Sequence, residues 1–133
     1  MGLIYIEEKD FKEEELEELF LSAGWASGKY PQKLAAALRG YGYVLAARDN
    51  GRLAGLAGAM DDGVMTAYVH YLLVLPDYRG RGIGRALAER LHEHYGDYLK
   101  IVLIASSGKE GFYSKLGYKV ADGTPMSLTE MED

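Results

Sequence analysis

Between positions 76 and 87 the chain reads PDYRGRGIGRAL, and what flanks this segment narrows the fold more than any other feature. A long apolar run, VMTAYVHYLLVLP, leads into it, and after it Ile83, Ala86, Leu87, Leu91 and Tyr95 recur at helical spacing. A strand that passes through a glycine-rich turn into a helix begins a βαβ unit. The nearly continuous apolar stretch YLKIVLIA (98–105) then supplies its second strand, expected to be covered on both faces. The two strands must run parallel, with a right-handed crossover through the helix.

The same turn constrains chemistry. The first amides of a helix lack intrahelical acceptors, and the helix dipole places partial positive charge beside them. Gly80, Gly82 and Gly84 allow unusual backbone angles and close approach of a ligand, while Arg79, Arg81 and Arg85 add forked donors suited to phosphate oxygens. A phosphate or pyrophosphate is the natural occupant. A P-loop is excluded because no Gly-Lys-Ser/Thr ends the segment. A dinucleotide fingerprint is excluded because the region about 20 residues on, LIAS, carries no acid and several strands precede the motif.

The remaining pattern gives the order β-α-α-β-β-β-α-β-α-β-β. Leu3, Tyr5 and their neighbours alternate as a short strand, and Leu16, Leu19, Phe20 and Ala23 mark a helix from Glu13 that Gly24 stops. Pro31 opens a second helix that ends before Gly40; between the two lies a loop, GWASGKY. YVLAARD and RLAGLAGAM join through Asn50-Gly51, a strong hairpin signal. A short helix over about 109–116 follows the βαβ unit, and GYKVA and PMSLTEM close the chain as two further short strands around Asp122-Gly123. The chain of 133 residues, 48% hydrophobic, is expected to form one domain over 1–133 around one core.

Arg79-x-x-Gly82-x-Gly84 resembles the Q/R-x-x-G-x-G/A signature of the GNAT superfamily of N-acetyltransferases, and GFYSKLGY resembles that family's F-Y-x-K-x-G-F/Y segment. The order of elements is similar as well, so the resemblance spans nearly the whole chain. It implies an α/β (α+β) GNAT fold with a mixed central sheet of about 6–7 strands and about four helices. It also implies acetyl-CoA as co-substrate. The pyrophosphate would be held by Arg79, Gly80, Arg81, Gly82, Ile83, Gly84, Arg85 and Ala86, and the pantetheine arm by main-chain groups of Leu73, Val74 and Leu75. Ser106 stands where many members place an Asn that contacts CoA.

By the same resemblance Tyr113 is the tyrosine near the sulfur, where a phenol can protonate the departing thiolate. Without it, Tyr113 would be one core aromatic among eleven tyrosines; Phe112 and Leu116, at i and i+4, are expected to serve the core in its place. An amine of pKa about 10.4 is mostly protonated at neutral pH, so a base is useful. His70 titrates in the right range. Family members that carry two histidines at i and i+2 on this strand link them to the base role; here the second aligns with His70 and the first is Tyr68. The other reading of His70 is a hydrogen-bonded strand residue that shapes the acceptor pocket. Trp25, Tyr30 and Tyr68 are candidates to enclose an amine, or else plain packing.

The expected activity is acetyl transfer from acetyl-CoA to a primary amine, on a small molecule or a peptide, by direct attack in a ternary complex. No cysteine is present to carry an acyl group, and no serine sits in a nucleophile motif. A non-catalytic acyl-CoA-binding module is the alternative, and a helix-mediated interaction protein a more distant one. The net charge of −5 argues against nucleic-acid binding. Glu13, Glu14, Glu15, Glu17 and Glu18 are expected to form a solvated helix face, or a surface that attracts a cationic substrate. His92 and His94 are expected on the surface, and no metal site is expected. No signal peptide, myristoylation site or membrane span is recognised, so the expected location is cytoplasmic. A homodimer is common in the family and is expected as an option.

Overall fold

The computed structural model describes residues 2–129 and 131. The elements run β1 (Leu3–Glu7), α1 (Glu13–Ser22), α2 (Pro31–Arg39), β2 (Tyr43–Asp49), β3 (Arg52–Asp61), β4 (Thr66–Val74), α3 (Ile83–His94), β5 (Lys100–Leu103) and α4 (Glu110–Lys115). Short 3-10 turns at Ala26–Lys29 and Pro76–Tyr78 fill the connections before α2 and after β4. One mixed sheet has the order β1-β2-β3-β4-β5, antiparallel except for the parallel pair β4–β5.

The central hairpin forms as the Asn-Gly pair requires. Asn50 has φ 50° and Gly51 φ 92°, the doubly left-handed turn whose twist matches its strands. Pro31 stands at the first turn of α2, where its missing N–H leaves no bond unmade. Two layers of core follow from alternation along the strands. Leu16, Leu19, Phe20, Leu34 and Leu38 pack one face of the sheet under α1 and α2. Ile83, Leu87 and Leu91 of α3, with Tyr95 directly after it, pack the other.

One irregularity matters for function. In the β3–β4 ladder Gly58 pairs with Tyr71 and Ala59 with Val69, so the register shifts by one residue and His70 is the extra residue of a bulge. Such a bulge twists the strand and re-aims side chains. Its effect is visible in the core: Ala67 and Val69 belong to the layer under α3, whereas Tyr71, Leu73 and Leu75 belong to the layer under α1 and α2.

Several expectations need correction. The sheet has five strands, and neither GYKVA nor PMSLTEM forms one among the described residues; Glu130 of the latter lies outside them. Val120, Met126 and Leu128 are exposed there; alternation suggests a strand, but a strand also needs an edge to pair with. β5 is confined to Lys100–Leu103 and is an edge strand, with no residue fully buried, so it is not covered on both faces. The loop before α2 contains the 3-10 turn that buries Ser27. Glu15 is not on a solvated face: it pairs with Arg48 at 2.8 Å, with side-chain exposures of 19% for Glu15 and 17% for Arg48, and Glu8 meets the same guanidinium. Among the described residues no helix is long and apolar enough to cross a membrane.

Candidate active site

The site grows from the end of β4. Its parallel pairing with β5 stops at Val69 and Leu103, yet β4 continues to Val74. The two strands therefore part, and a cleft of about 460 Å³ opens where they do. The Leu75 N–H is spent on the Ala54 carbonyl at 2.8 Å, towards β3. Successive amides on a strand point to opposite edges, so the Val74 N–H faces the edge that β5 has left.

Beyond the 3-10 turn the chain passes through Gly80 and Gly82, each with φ 80°. Gly82 is the N-cap of α3, in the left-handed region, and no side chain caps the helix. Ala86 makes the first intrahelical bond, to the Gly82 carbonyl at 3.0 Å. The amides of Ile83, Gly84 and Arg85 precede it and have no acceptor within the helix. Nothing lies within 4 Å of a side chain built on Gly80 or Gly82, so the turn stays open for a ligand. Arg79 and Arg85 are exposed beside it. Arg85 approaches Glu89 only loosely, at 3.6 Å, leaving its charge available. This donor set fits a pyrophosphate.

The far wall of the cleft is α4 and its approach. Ser106, Lys109, Phe112 and Tyr113 line it, and Phe112 lies 3.5 Å from where a Gly84 side chain would begin. Tyr113 is half-buried, edge-on to Phe112 at 5.2 Å and to Tyr118 at 5.6 Å. Burial raises its phenol above the ordinary tyrosine value, so it holds its proton at neutral pH. His70 and Trp25 line the same cleft. His70 stacks between Tyr68 (5.5 Å) and Tyr71 (4.0 Å), and its Nδ1 is 2.6 Å from the Tyr41 phenol.

The cleft thus gathers most of the residues singled out from the sequence. Leu73, Val74, Arg79, Gly80, Gly82, Ile83, Gly84, Arg85 and Ser106 all line it, together with Trp25, His70 and Tyr113. Others lie elsewhere. Leu75 is a core residue at 1% exposure, and Ala86 is just inside the helix, off the lining. Arg81 is turned away, over the Tyr78 ring at 4.9 Å and onto the Asp77 carbonyl at 3.2 Å. Tyr30 is 49% exposed outside the cleft, and Tyr68 contributes by stacking on His70 and not by lining.

Phe112 does not serve the core: it is 38% exposed on the cleft wall, and Tyr113 is the more buried of the two. His92 is half-buried and 2.8 Å from the Tyr118 hydroxyl, so it is not a plain surface residue; burial first, opposed by Glu89, lowers its pKa. Tyr118 itself is pushed up to about 12, by burial and then by Tyr113. The sequence reading missed Tyr41, Leu72, Ile104 and Lys109. Lys109, two residues before the GFYSKLGY segment, could have been found from its basic charge beside a phosphate site; Tyr41 comes from a distant turn and carries no local signal.

Comparison with known proteins adds four findings. The Acetyltransferase (GNAT) domain family matches residues 7–127. A histone acetyltransferase, TAP1, of Glycine max is 33% identical over 119 residues, covering 79% of this chain and 51% of that protein. The chain thus spans about half the length of that curated relative. A GNAT family acetyltransferase from Streptococcus pneumoniae TIGR4 superposes with a TM-score of 0.82 at 24% identity, covering 98% of this chain and 99% of the other. An aminoglycoside N-acetyltransferase solved in complex with CoA gives a TM-score of 0.73 at 14% identity, covering 97% and 95%. The last two likenesses are of fold.

Proposed function

The chain belongs to the GNAT acetyltransferase family, and from that premise we propose that it moves an acetyl group from acetyl-CoA to a primary amine within a ternary complex. One observation carries the reading: a single cleft is lined at once by the Gly80–Gly84 turn, by Tyr113 and by His70. Anion-binding amides, a protonated acid and a titratable base therefore face one space.

Acetyl-CoA supplies an acetyl thioester activated toward amines. The amides of Ile83, Gly84 and Arg85, with Arg79 and Arg85, hold its pyrophosphate. The edge of β4 that β5 has left receives the pantetheine arm at Leu73 and Val74, much as a strand would be received. The Val74 N–H is a fixed donor beside that edge, suited to the charge that develops on the carbonyl oxygen. Tyr113 gives its phenolic proton to the departing sulfur, and His70 takes the proton that the amine must lose as the C–N bond forms and the C–S bond breaks. Exchange with solvent resets both groups. The acceptor enters past Trp25 at the His70 end, as a small molecule or a peptide amine. The absence of cysteine and the acidic balance are consistent with a cytoplasmic enzyme without nucleic-acid partners, and a homodimer is compatible with the family.

Turnover of an amine panel by wild type and Tyr113→Phe tests this. The variant should bind acetyl-CoA as tightly as wild type and lose about 100-fold in kcat. Undiminished turnover would remove Tyr113 from the proton transfer. Tight acetyl-CoA binding with no turnover of any amine by wild type would favour the non-catalytic acyl-CoA-binding module.

A further inference from the structure

α4 carries Tyr113, yet its own packing holds it weakly: it has six residues and none of them is buried. A helix that short is marginal by itself, so the place of Tyr113 depends on what grips α4 from outside. Two grips lie along α3. Near the start of α3, Phe112 reaches to 3.5 Å from where a Gly84 side chain would begin. In its last turn, His92 Nε2 meets the Tyr118 hydroxyl at 2.8 Å. α3 rises about 12 Å between Gly84 and His92. Tyr113 is edge-on to both gripping rings, to Phe112 at 5.2 Å and to Tyr118 at 5.6 Å.

The backbone joins Tyr118 to Tyr113 as well. Gly117 follows the C-cap Leu116 with φ 100°. Its N–H donates to the Ser114 carbonyl at 3.0 Å, and the Tyr118 N–H donates to the Tyr113 carbonyl at 3.1 Å. This pair of bonds closes the helix through a left-handed glycine and brings the next side chain back over the last turn. The bond to His92 does not depend on one protonation pattern. Burial, then Tyr113, pushes the Tyr118 phenol up to about 12, and burial lowers His92, so both are neutral at pH 7. With the imidazole proton on Nδ1 the phenol donates to Nε2; with it on Nε2 the ring donates to the phenol oxygen. Among the described residues this is the one side-chain hydrogen bond that ties the chain beyond β5 to the rest of the fold.

We propose that Tyr118 is a positioning residue for Tyr113, anchored by its hydrogen bond to His92. Held to α4 by its backbone and to α3 by its hydroxyl, Tyr118 fixes how far the last turn of α4 stands from α3. The first amides of that same helix take the pyrophosphate, so one element sets both ends of the thioester arm against the acid. Tyr113 Oη is thereby kept within hydrogen-bond reach of the sulfur, where a small displacement is costly. This rests on the acetyltransferase reading, with Tyr113 as the proton donor.

The test is a double-mutant cycle on the full chain. Initial rates are measured with acetyl-CoA and the fastest acceptor among butylamine, a peptide with a free N-terminus and a lysine peptide. Tyr118→Phe keeps the ring against Tyr113 and removes only the hydroxyl; His92→Leu removes the same bond from the other side. Each should lower kcat about fivefold with the acetyl-CoA KM within about twofold of wild type. His92→Gln, which can still bond the hydroxyl, should restore most of the rate. In a Tyr113→Phe background, Tyr118→Phe should lower kcat no further, an outcome that a merely structural role would not give. Tyr118→Phe decides alone should His92→Leu not fold. Undiminished kcat in Tyr118→Phe, or the same fivefold loss with and without Tyr113, overturns the proposal. If Tyr113→Phe is slow and Tyr118→Phe is not, the anchor alone fails. If Tyr113→Phe loses nothing, or wild type acetylates none of the three amines, the acid role fails and takes the anchor with it.

Discussion

Tyr113 and His70 reach the same cleft by different routes, and their legibility differs accordingly. Tyr113 sits in a local motif, on a helix that starts and stops where its sequence suggests, so its place on the cleft wall could be read from one short segment. Its environment could not: burial comes from Phe112, Tyr118 and the rest of the wall, and it raises the phenol's pKa. The sign of the consequence is definite. The acid works while protonated, that is below its folded pKa, and burial moves that value above the ordinary tyrosine value of about 10. A pH–rate profile of kcat should therefore show no Tyr113-dependent loss up to about pH 10; a Tyr113-dependent fall near neutrality would contradict the role. His70 could be named from its type, but not its orientation. The burial of β4 alternates without a break, yet the bulge at His70 exchanges the two faces, so periodicity alone hides what turns the imidazole towards Tyr41.

Among elements, the start of α3 was the most legible because glycine spacing and helical period fall in one continuous stretch. Gly82 caps α3 with φ 80° in open space, so a substitution there meets backbone strain and no clash. Gly82→Ala should cost about 1 kcal/mol of stability, read as a lowered Tm, and weaken acetyl-CoA binding more than it weakens the fold. Unchanged affinity would mean that the turn is not the phosphate site. β5 and the segment after Gly117 were the least legible, since alternation marks a strand but does not say which edge receives it. The Arg48 cluster was missed for a similar reason: its carboxylates come from the β1–α1 connection and from α1.

Burial acts to raise Glu15, but the hydrogen bonds and charge of Arg48 and Lys12 outweigh it, and its pKa is lowered. A lowered carboxyl pKa stabilises the fold above the unfolded value of about 4.3 and loses that contribution as pH falls through the folded value. Arg48→Met should therefore destabilise by about 2 kcal/mol at pH 7, with the difference from wild type shrinking below about pH 4. Equal stability at pH 7 in chemical denaturation would show that the cluster contributes nothing net.

At the scale of the molecule, the layers are asymmetric in a way that serves one cleft. α1 and α2 fix Ser27, Tyr41 and Tyr71 on one face, α3 brings the amide turn to the end of β4, and the parting of β4 from β5 leaves room between them. Order and direction of the elements as far as α4 followed from the sequence because hydrophobic period and turn residues are local properties. The cleft did not, because it is made by a pairing that stops. A ligand bound only by the folded chain must raise its stability, by about 2.7 kcal/mol at a hundredfold excess over Kd. Acetyl-CoA should thus raise Tm, and NAD or ATP should do so much less.

The most direct measurement is a calorimetric titration of the purified chain, freed of co-purified CoA, with acetyl-CoA against NAD and ATP. One-to-one binding selective for acetyl-CoA, weakened in Gly82→Ala and retained in Tyr113→Phe, is the predicted result. Folded protein that takes up no acetyl-CoA would contradict the assignment of the turn and cleft.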